Sequence, residues 1–170
     1  MDLKIFDDAV PYHIREQIWN FCMHSTFYLG WSDSDETEKD SPNAHSNWNI
    51  SEIESTNIMP YFEKCIKDTR WFKNKKISNI ILNLVRPDDV HYIHHHMNKQ
   101  VLLYYVNLSW TDGWHGETLF YNPHNLKEVE YTSLYVPGRI ILFDGTVPHA
   151  IRPQSIKATK YRFSLSLFFE

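Results

Sequence analysis

From residue 77 to residue 169 the chain is a string of short apolar runs separated by turn residues, and no other feature constrains the fold as much. Ile77 to Val85, Glu117 to Tyr121, Val129 to Val136, Arg139 to Phe143 and Tyr161 to Phe169 read as strands, each rich in β-branched, aromatic or aliphatic residues. Val101 to Leu108 is nearly continuous in such residues, the pattern of a strand buried on both faces. Val136-Pro137-Gly138-Arg139 predicts a type II turn, with Pro setting φ at the second position and Gly taking positive φ at the third. Asp144-Gly145 predicts another turn. Four of the five glycines fall between 113 and 145, where closely spaced strands must reverse.

The N-terminal part has a different texture. Ile14, Ile18, Phe21 and Cys22 recur at helical spacing and predict a helix over 11–24, with Pro11 in its first turn. Residues 32–47 are rich in Ser, Asp and Asn and predict a loop. A second helix is expected within 51–68 on the stripe Ile53, Ile58, Phe62 and Ile66, with Pro60 as a kink or boundary. Helices followed by many short strands predict an α+β chain whose strand half is a double-sheet jelly roll. A length of 170 residues suits one such domain, helical over about 1–70 and jelly roll over about 77–169.

Composition narrows the function classes. A formal net charge of −4 argues against a general nucleic-acid binder, while leaving room for a local basic patch. Cys22 and Cys65 are too few for a disulfide framework and suit a reducing, cytoplasmic setting. The first residues have no apolar core of a signal peptide, and no apolar run approaches the ~20 residues of a membrane span.

Ten histidines are many for this length, and four lie within 91–96. His94 and His96 are two apart, so on a strand both would face one way and reach one metal, with His95 facing the other way. His91 is harder to place on the same ion. His149 follows a turn and Pro148 and is the natural third ligand. Three imidazoles suit zinc, copper, nickel or iron, so the ligand types leave the metal open.

A longer series of motifs runs through the strand half. It comprises Leu102 to Asn107, Trp110, Trp114-His115-Gly116-Glu117-Thr118-Leu119-Phe120, Val136 to Asp144, His149 and Arg162-Phe163-Ser164-Leu165. In this order they resemble the iron(II)/2-oxoglutarate-dependent oxygenases of the prolyl 4-hydroxylase-like type over roughly residues 77–169. The resemblance implies a double-stranded β-helix with iron at its open end, held by His94 and His149. It implies that Arg162 grips the far carboxylate of 2-oxoglutarate, for which a planar guanidinium is well shaped. Arg152 and Lys160 are rivals for that role. Arg162, Ser164 and Ser166 share one strand face, a polar face that needs a use inside a small barrel. Tyr104 and Thr118 are further candidates for the co-substrate pocket. Asn107 is a candidate for positioning backbone or substrate, and Trp110, Trp114 and His115 for its rim.

The second ligand departs from the family pattern, which has Asp or Glu where this chain has His96. Three explanations compete: His96 binds the metal; a carboxylate from Asp88, Asp89, Asp112, Glu117 or Asp144 reaches it; or the site is degenerate. The first keeps the spacing and is preferred. The resemblance then implies a dioxygenase using Fe(II), 2-oxoglutarate and O2 to hydroxylate a peptidyl or small amino-acid-like substrate. Two alternatives are a three-histidine dioxygenase that does not use 2-oxoglutarate and a non-catalytic jelly-roll binding module.

Overall fold

The computed structural model describes residues 2–31, 43–67, 69–87 and 89–170. In chain order the elements are β1 (Leu3–Phe6), α1 (Tyr12–Met23), β2 (Tyr28–Trp31), β3 (Asn43–Asn47), α2 (Ile50–Ser55) and α3 (Met59–Lys67). A 3-10 helix (Arg70–Phe72) leads into β4 (Ile77–Val85), β5 (Gln100–Tyr105), β6 (Thr118–Asn122), β7 (Asn125–Ser133), β8 (Ile140–Asp144), β9 (His149–Ile151) and β10 (Arg162–Phe169). The strands form a seven-stranded sheet in the order β1-β8-β5-β10-β4-β3-β2 and a three-stranded sheet in the order β7-β6-β9. Every pairing is antiparallel. This is the expected jelly roll of an α+β chain.

Strand alternation divides the large sheet between two cores. On one face Leu82, Leu102, Tyr104, Leu142, Leu165 and Leu167 pack with Ile14, Ile18, Ile53 and Phe62 of the helices. On the other, Ile81, Val101, Leu103, Tyr105, Ile141 and Phe143 pack with Phe120 of the small sheet. A sheet covered by helices on one side and by a second sheet on the other must be apolar on both faces. That explains the near-continuous run of β5.

The helical part differs from expectation in three ways. Pro11 is the N-cap of α1 rather than a residue of its first turn. The helix expected over 51–68 is two helices. The first opens with a capping box between Asn49 and Glu52, and the break contains Asn57 with φ of 58°, a left-handed conformation that Asn tolerates. Pro60 then sits in the first turn of α3, where its missing N–H costs nothing. Within the loop expected over 32–47, residues 43–47 are β3, paired to β4 from Ala44–Leu84 to Asn47–Ile81; residues 32–42 lie outside the described residues.

The turn at 136–139 forms as read. Gly138 has φ of 85°, and Arg139 N–H donates to Val136 O at 3.0 Å. Arg139 then closes a bidentate pair with Asp7 at 2.7 and 2.8 Å, tying this turn to the N-terminal strand. No helix of the described residues is long and apolar enough to cross a membrane. Cys22 and Cys65 are buried and form no disulfide.

Candidate metal centre

His94, His96 and His149 each offer a ring nitrogen, and these atoms lie within 4.8 Å of one another. The ring centroids are 4.9 Å apart for His94–His96, 4.3 Å for His94–His149 and 5.1 Å for His96–His149. Residues 94–96 are not a regular strand. His94 instead makes a single antiparallel bridge with His149, its N–H donating to His149 O at 3.0 Å and its carbonyl accepting from His149 N–H at 2.9 Å. His96 is fixed one step further along, where its N–H donates to Gly145 O at 2.6 Å while Gly145 N–H donates to Lys99 O at 2.9 Å. A Cβ on Gly145 would strike the His96 and Lys99 carbonyl oxygens, so the close approach of the two histidine-bearing segments requires glycine.

Two rings have their tautomer set by backbone. His94 Nδ1 lies 3.0 Å from Tyr92 O, and His149 Nδ1 lies 2.9 Å from Val147 O. A carbonyl only accepts, so Nδ1 carries the proton and Nε2 is the atom that could ligate a metal. His95 is exposed and lines no part of the pocket, and His91 lines it without joining the three-histidine group.

Three of the carboxylates considered as replacements, Asp89, Glu117 and Asp144, have other partners. Asp89 is bonded to Arg86 through side chain and backbone N–H. Glu117 lies 3.7 Å from both His115 and Arg152. Asp144 accepts from Gln100 and Thr146; burial works to raise its pKa, but these hydrogen bonds hold it below the usual carboxylate value. Asp112 is exposed at the 111–114 turn, and Asp88 lies outside the described residues. Among the described residues the metal-ligating group contains imidazoles alone.

One pocket joins the three histidines to Arg162, with His91, Thr118, Ser164, Ser166 and Asn83 as its other polar lining. Arg162 is fully buried. Its guanidinium donates to Gly116 O at 2.9 Å, Ser164 Oγ at 3.1 Å and Thr118 Oγ1 at 3.2 Å. It also lies 5.1 Å from the Tyr105 ring centre and 4.9 Å from that of Tyr135. Among the described residues no carboxylate pairs with it. Gly116 permits this packing: it has φ of 82°, and a Cβ there would sit 3.3 Å from Arg162 Cδ. The two rivals lie elsewhere. Lys160 is exposed and bonded to Ser109, and Arg152 is half-exposed beside Glu117.

Tyr104 is not in this pocket. Its side chain points into the helical layer, 5.4 Å from the Phe62 ring, because pocket-facing residues of β5 are odd-numbered. Tyr105 takes the pocket side, and its hydroxyl donates to Thr118 Oγ1 at 2.8 Å. The sequence reading missed Tyr105 and also Tyr135, which with Asn107 fixes the backbone around Arg162. Asn107 Nδ2 donates to Tyr161 O at 2.9 Å, and its Oδ1 accepts from Phe163 N–H at 2.8 Å. The Tyr135 hydroxyl lies 2.6 Å from Asn107 Oδ1 and 2.5 Å from Phe163 O. Burial pushes the Tyr135 phenol up, over the opposing pull of Arg162, and keeps it a neutral donor. Trp110 packs on Tyr135 and Trp114 and donates to His115 O, so it buttresses this end of the pocket.

No family model and no curated protein matches the sequence. Solved structures do. A Pseudomonas putida prolyl-4-hydroxylase superposes with a TM-score of 0.74 at 14% identity, over 99% of this chain and 92% of that one. The fold is that of the prolyl-4-hydroxylase-like oxygenases. A viral collagen prolyl hydroxylase from Paramecium Bursaria Chlorella virus-1, in complex with 2-oxoglutarate, matches this oxygenase fold with a TM-score of 0.66 at 11% identity, over 98% and 94% of the two chains. The non-heme alpha ketoglutarate dependent epimerase of nogalamycin biosynthesis matches with a TM-score of 0.72 at 8% identity, over 99% and 77%. Proteins sharing the fold thus span more than one reaction.

Proposed function

We propose that this chain, acting as one unit over residues 1–170, is an Fe(II)- and 2-oxoglutarate-dependent dioxygenase that hydroxylates a peptidyl or small amino-acid-like substrate. His94, His96 and His149 are its metal ligands. The observation that carries the reading is Arg162: a buried guanidinium, without a carboxylate partner among the described residues, in the same pocket as the three imidazoles. A buried charge is costly unless paired, so the pocket is built for an anion that spans from Arg162 to the metal. A dicarboxylate with a keto-acid head has that form.

The donor set fits the proposed groups. Imidazole nitrogens suit Fe(II), and a face with three protein ligands leaves the opposite face for other molecules. With 2-oxoglutarate and O2, the iron would supply the oxidising chemistry, yielding succinate, CO2 and a hydroxylated product. The protein's part is positioning. Arg162 holds the far carboxylate, while Thr118 accepts from Tyr105 and from Arg162 and so fixes the fork in place. Asn107 and Tyr135 hold the backbone on either side of Arg162. Val101, Leu103, Phe143 and Phe168 line the rest of the pocket and exclude water.

An all-imidazole site also suits a dioxygenase that does not use 2-oxoglutarate, but that reading leaves Arg162 buried with no carboxylate to neutralise it among the described residues. The deciding experiment is anaerobic titration with Fe(II) and then 2-oxoglutarate, read by the weak visible charge-transfer band of the chelate. Growth of the band with one equivalent of each supports the proposal. Iron binding without the band favours the second dioxygenase reading, and absence of iron binding favours a non-catalytic module.

A further inference from the structure

The two sheets are unequal, seven strands against three. The core between them takes Ile81 from β4 and, among the described residues, nothing from β2 or β3. The smaller sheet therefore stops short. Beyond Asn83 of β4, which still lines the three-histidine pocket, the same face of the large sheet continues as an open shelf over β3 and β2.

One row of side chains runs from the pocket onto this shelf. Tyr105, Ser164, Asn83, His45 and Tyr28 stand opposite one another, strand by strand, across β5, β10, β4, β3 and β2. Burial falls along the row: Tyr105 and Ser164 are buried, Asn83 and His45 half-buried, and Tyr28 is 60% exposed. The Tyr28 and His45 rings are 6.3 Å apart. Every member can hydrogen-bond and none carries a fixed charge. Burial, against a hydrogen bond to the Tyr28 backbone, holds the His45 imidazole below its usual pKa and so neutral at neutral pH. The neighbouring row, Leu103, Ser166, Ile81 and Asn47, is interrupted by apolar side chains.

Asn83 brings a carboxamide into the pocket, and among the described residues that side chain makes no hydrogen bond. The proposed co-substrate does not need it. Arg162 gives one N–H each to Gly116 O, Ser164 Oγ and Thr118 Oγ1, which leaves one N–H on each of its terminal nitrogens. The hydroxyl hydrogens of Ser164 and Thr118 are also left over, because both oxygens already serve as acceptors. Together these donors match the roughly four lone-pair sites of a carboxylate.

We infer that Asn83 is a specificity-determining residue, its carboxamide pairing with an amide group of the primary substrate while the substrate lies along the shelf towards His45 and Tyr28. That this ligand is the substrate rests on the oxygenase reading above. A carboxamide sets a donor beside an acceptor, the complement of an amide group, whereas a charged group would find no opposite charge in the row. From Ser164 to Tyr28 is three strand spacings, about 14 Å, the reach of about four extended residues. A peptide spans that distance and a free amino acid does not. Carboxamides also read adenine, but a nucleic acid brings phosphates, and the row offers them no cation.

The test uses the full chain and a defined pool of N-acetylated, C-amidated hexapeptides, with retention on ultrafiltration read by mass spectrometry. It is run with Zn(II) and 2-oxoglutarate present and again with neither. The variants are Asn83→Leu, of similar volume, Asn83→Ala in case leucine overpacks, and Tyr28→Ala at the exposed end. Because Asn83 has no partner to orphan, Tm should not fall in its variants. The inference is supported if the wild type retains a set of peptides and the Asn83 variants hold the same set about tenfold more weakly, the effect of a lost pair of neutral hydrogen bonds. Tyr28→Ala should weaken it too, and 2-oxoglutarate affinity should stay within about twofold in all variants. Undiminished retention by the Asn83 variants overturns it, as does no retention by the wild type, an equal loss of 2-oxoglutarate affinity, or tighter retention of a single-stranded DNA decamer. Asn83-dependent retention without metal or 2-oxoglutarate stands even if the oxygenase titration fails, and its absence beside a positive titration refutes this inference alone.

Discussion

Replacing Arg162 by Met removes the charge and the fork while keeping most of the volume. In the protein without ligands two effects oppose. A buried guanidinium lacking a carboxylate partner among the described residues is relieved, which is neutral or stabilising when an apolar side chain of similar size replaces it. Against this, Gly116 O loses its donor, at a cost of about 1–3 kcal/mol. Stability of the ligand-free protein should therefore change little. Binding of 2-oxoglutarate should change greatly. Losing a buried bidentate charge pair costs on the order of 2–5 kcal/mol, or roughly 30-fold to several thousandfold in affinity. The assay is thermal unfolding with a redox-inert divalent metal in place of iron, with and without 2-oxoglutarate. At 100 times its dissociation constant a ligand stabilises by about 2.7 kcal/mol, about 5–11 °C in Tm for a chain of this size. A hundredfold weaker variant under the same conditions keeps about 0.4 kcal/mol, about 1 °C. A full 2-oxoglutarate shift in Arg162→Met would refute the assignment. The shift caused by the metal alone should be the same in both proteins.

Four further outcomes follow from the geometry. His94→Ala and His149→Ala should each lower iron content strongly with the fold intact, and wild-type stoichiometry by metal analysis in both would remove them from the site. Protons compete with metal for imidazole at higher pH than for a carboxylate. His96→Asp should thus retain iron to lower pH than the wild type, and identical pH profiles would show that His96 is not a ligand. Gly145→Ala must push the 96–99 backbone aside, costing about 1–3 kcal/mol, and should weaken iron binding along with lowering Tm; an unchanged Tm would contradict the close approach. The Arg139 hydrogen bond, against an opposing burial effect, holds the Asp7 carboxyl below its usual value. A depressed carboxylate stabilises above its unfolded pKa and loses that contribution as pH falls through its folded pKa. Asp7→Asn should therefore lower stability, and with it Tm, slightly at neutral pH, by less than about 1 kcal/mol for a pair whose carboxylate is exposed. The difference should vanish in strong acid, and a constant difference at all pH values would rule out the ion pair as its cause.

The polar face of β10 was legible in the sequence because its alternation is visible: Arg162, Ser164 and Ser166 against Phe163, Leu165 and Leu167. Alternation failed for β5. Every residue from Val101 to Tyr105 is apolar or aromatic, so nothing in composition says which parity faces the pocket, and Tyr104 was read where Tyr105 stands. Strand β3 was invisible for the opposite reason. Asn43-Ala44-His45-Ser46-Asn47 has neither β-branched residues nor an apolar stripe, and it is a strand because β4 offers it a paired edge. His94 and His96 were expected together on a strand. They come together although the segment is not one, held by a single bridge to His149 and by the bonds to Gly145, pairings across fifty residues that no local pattern records.

With His94, His96 and His149 holding a metal as proposed, the bridge between His94 and His149 bears on how that metal exchanges. Two of the three imidazoles project from residues that already exchange both backbone hydrogen bonds, and the third hangs from a segment pinned to the Asp144–Thr146 turn. Backbone hydrogen bonds of the chain itself thus order these three positions, unlike small zinc modules that collapse without their ion. A chelator should therefore strip the proposed ion and a salt solution restore it, with no refolding between.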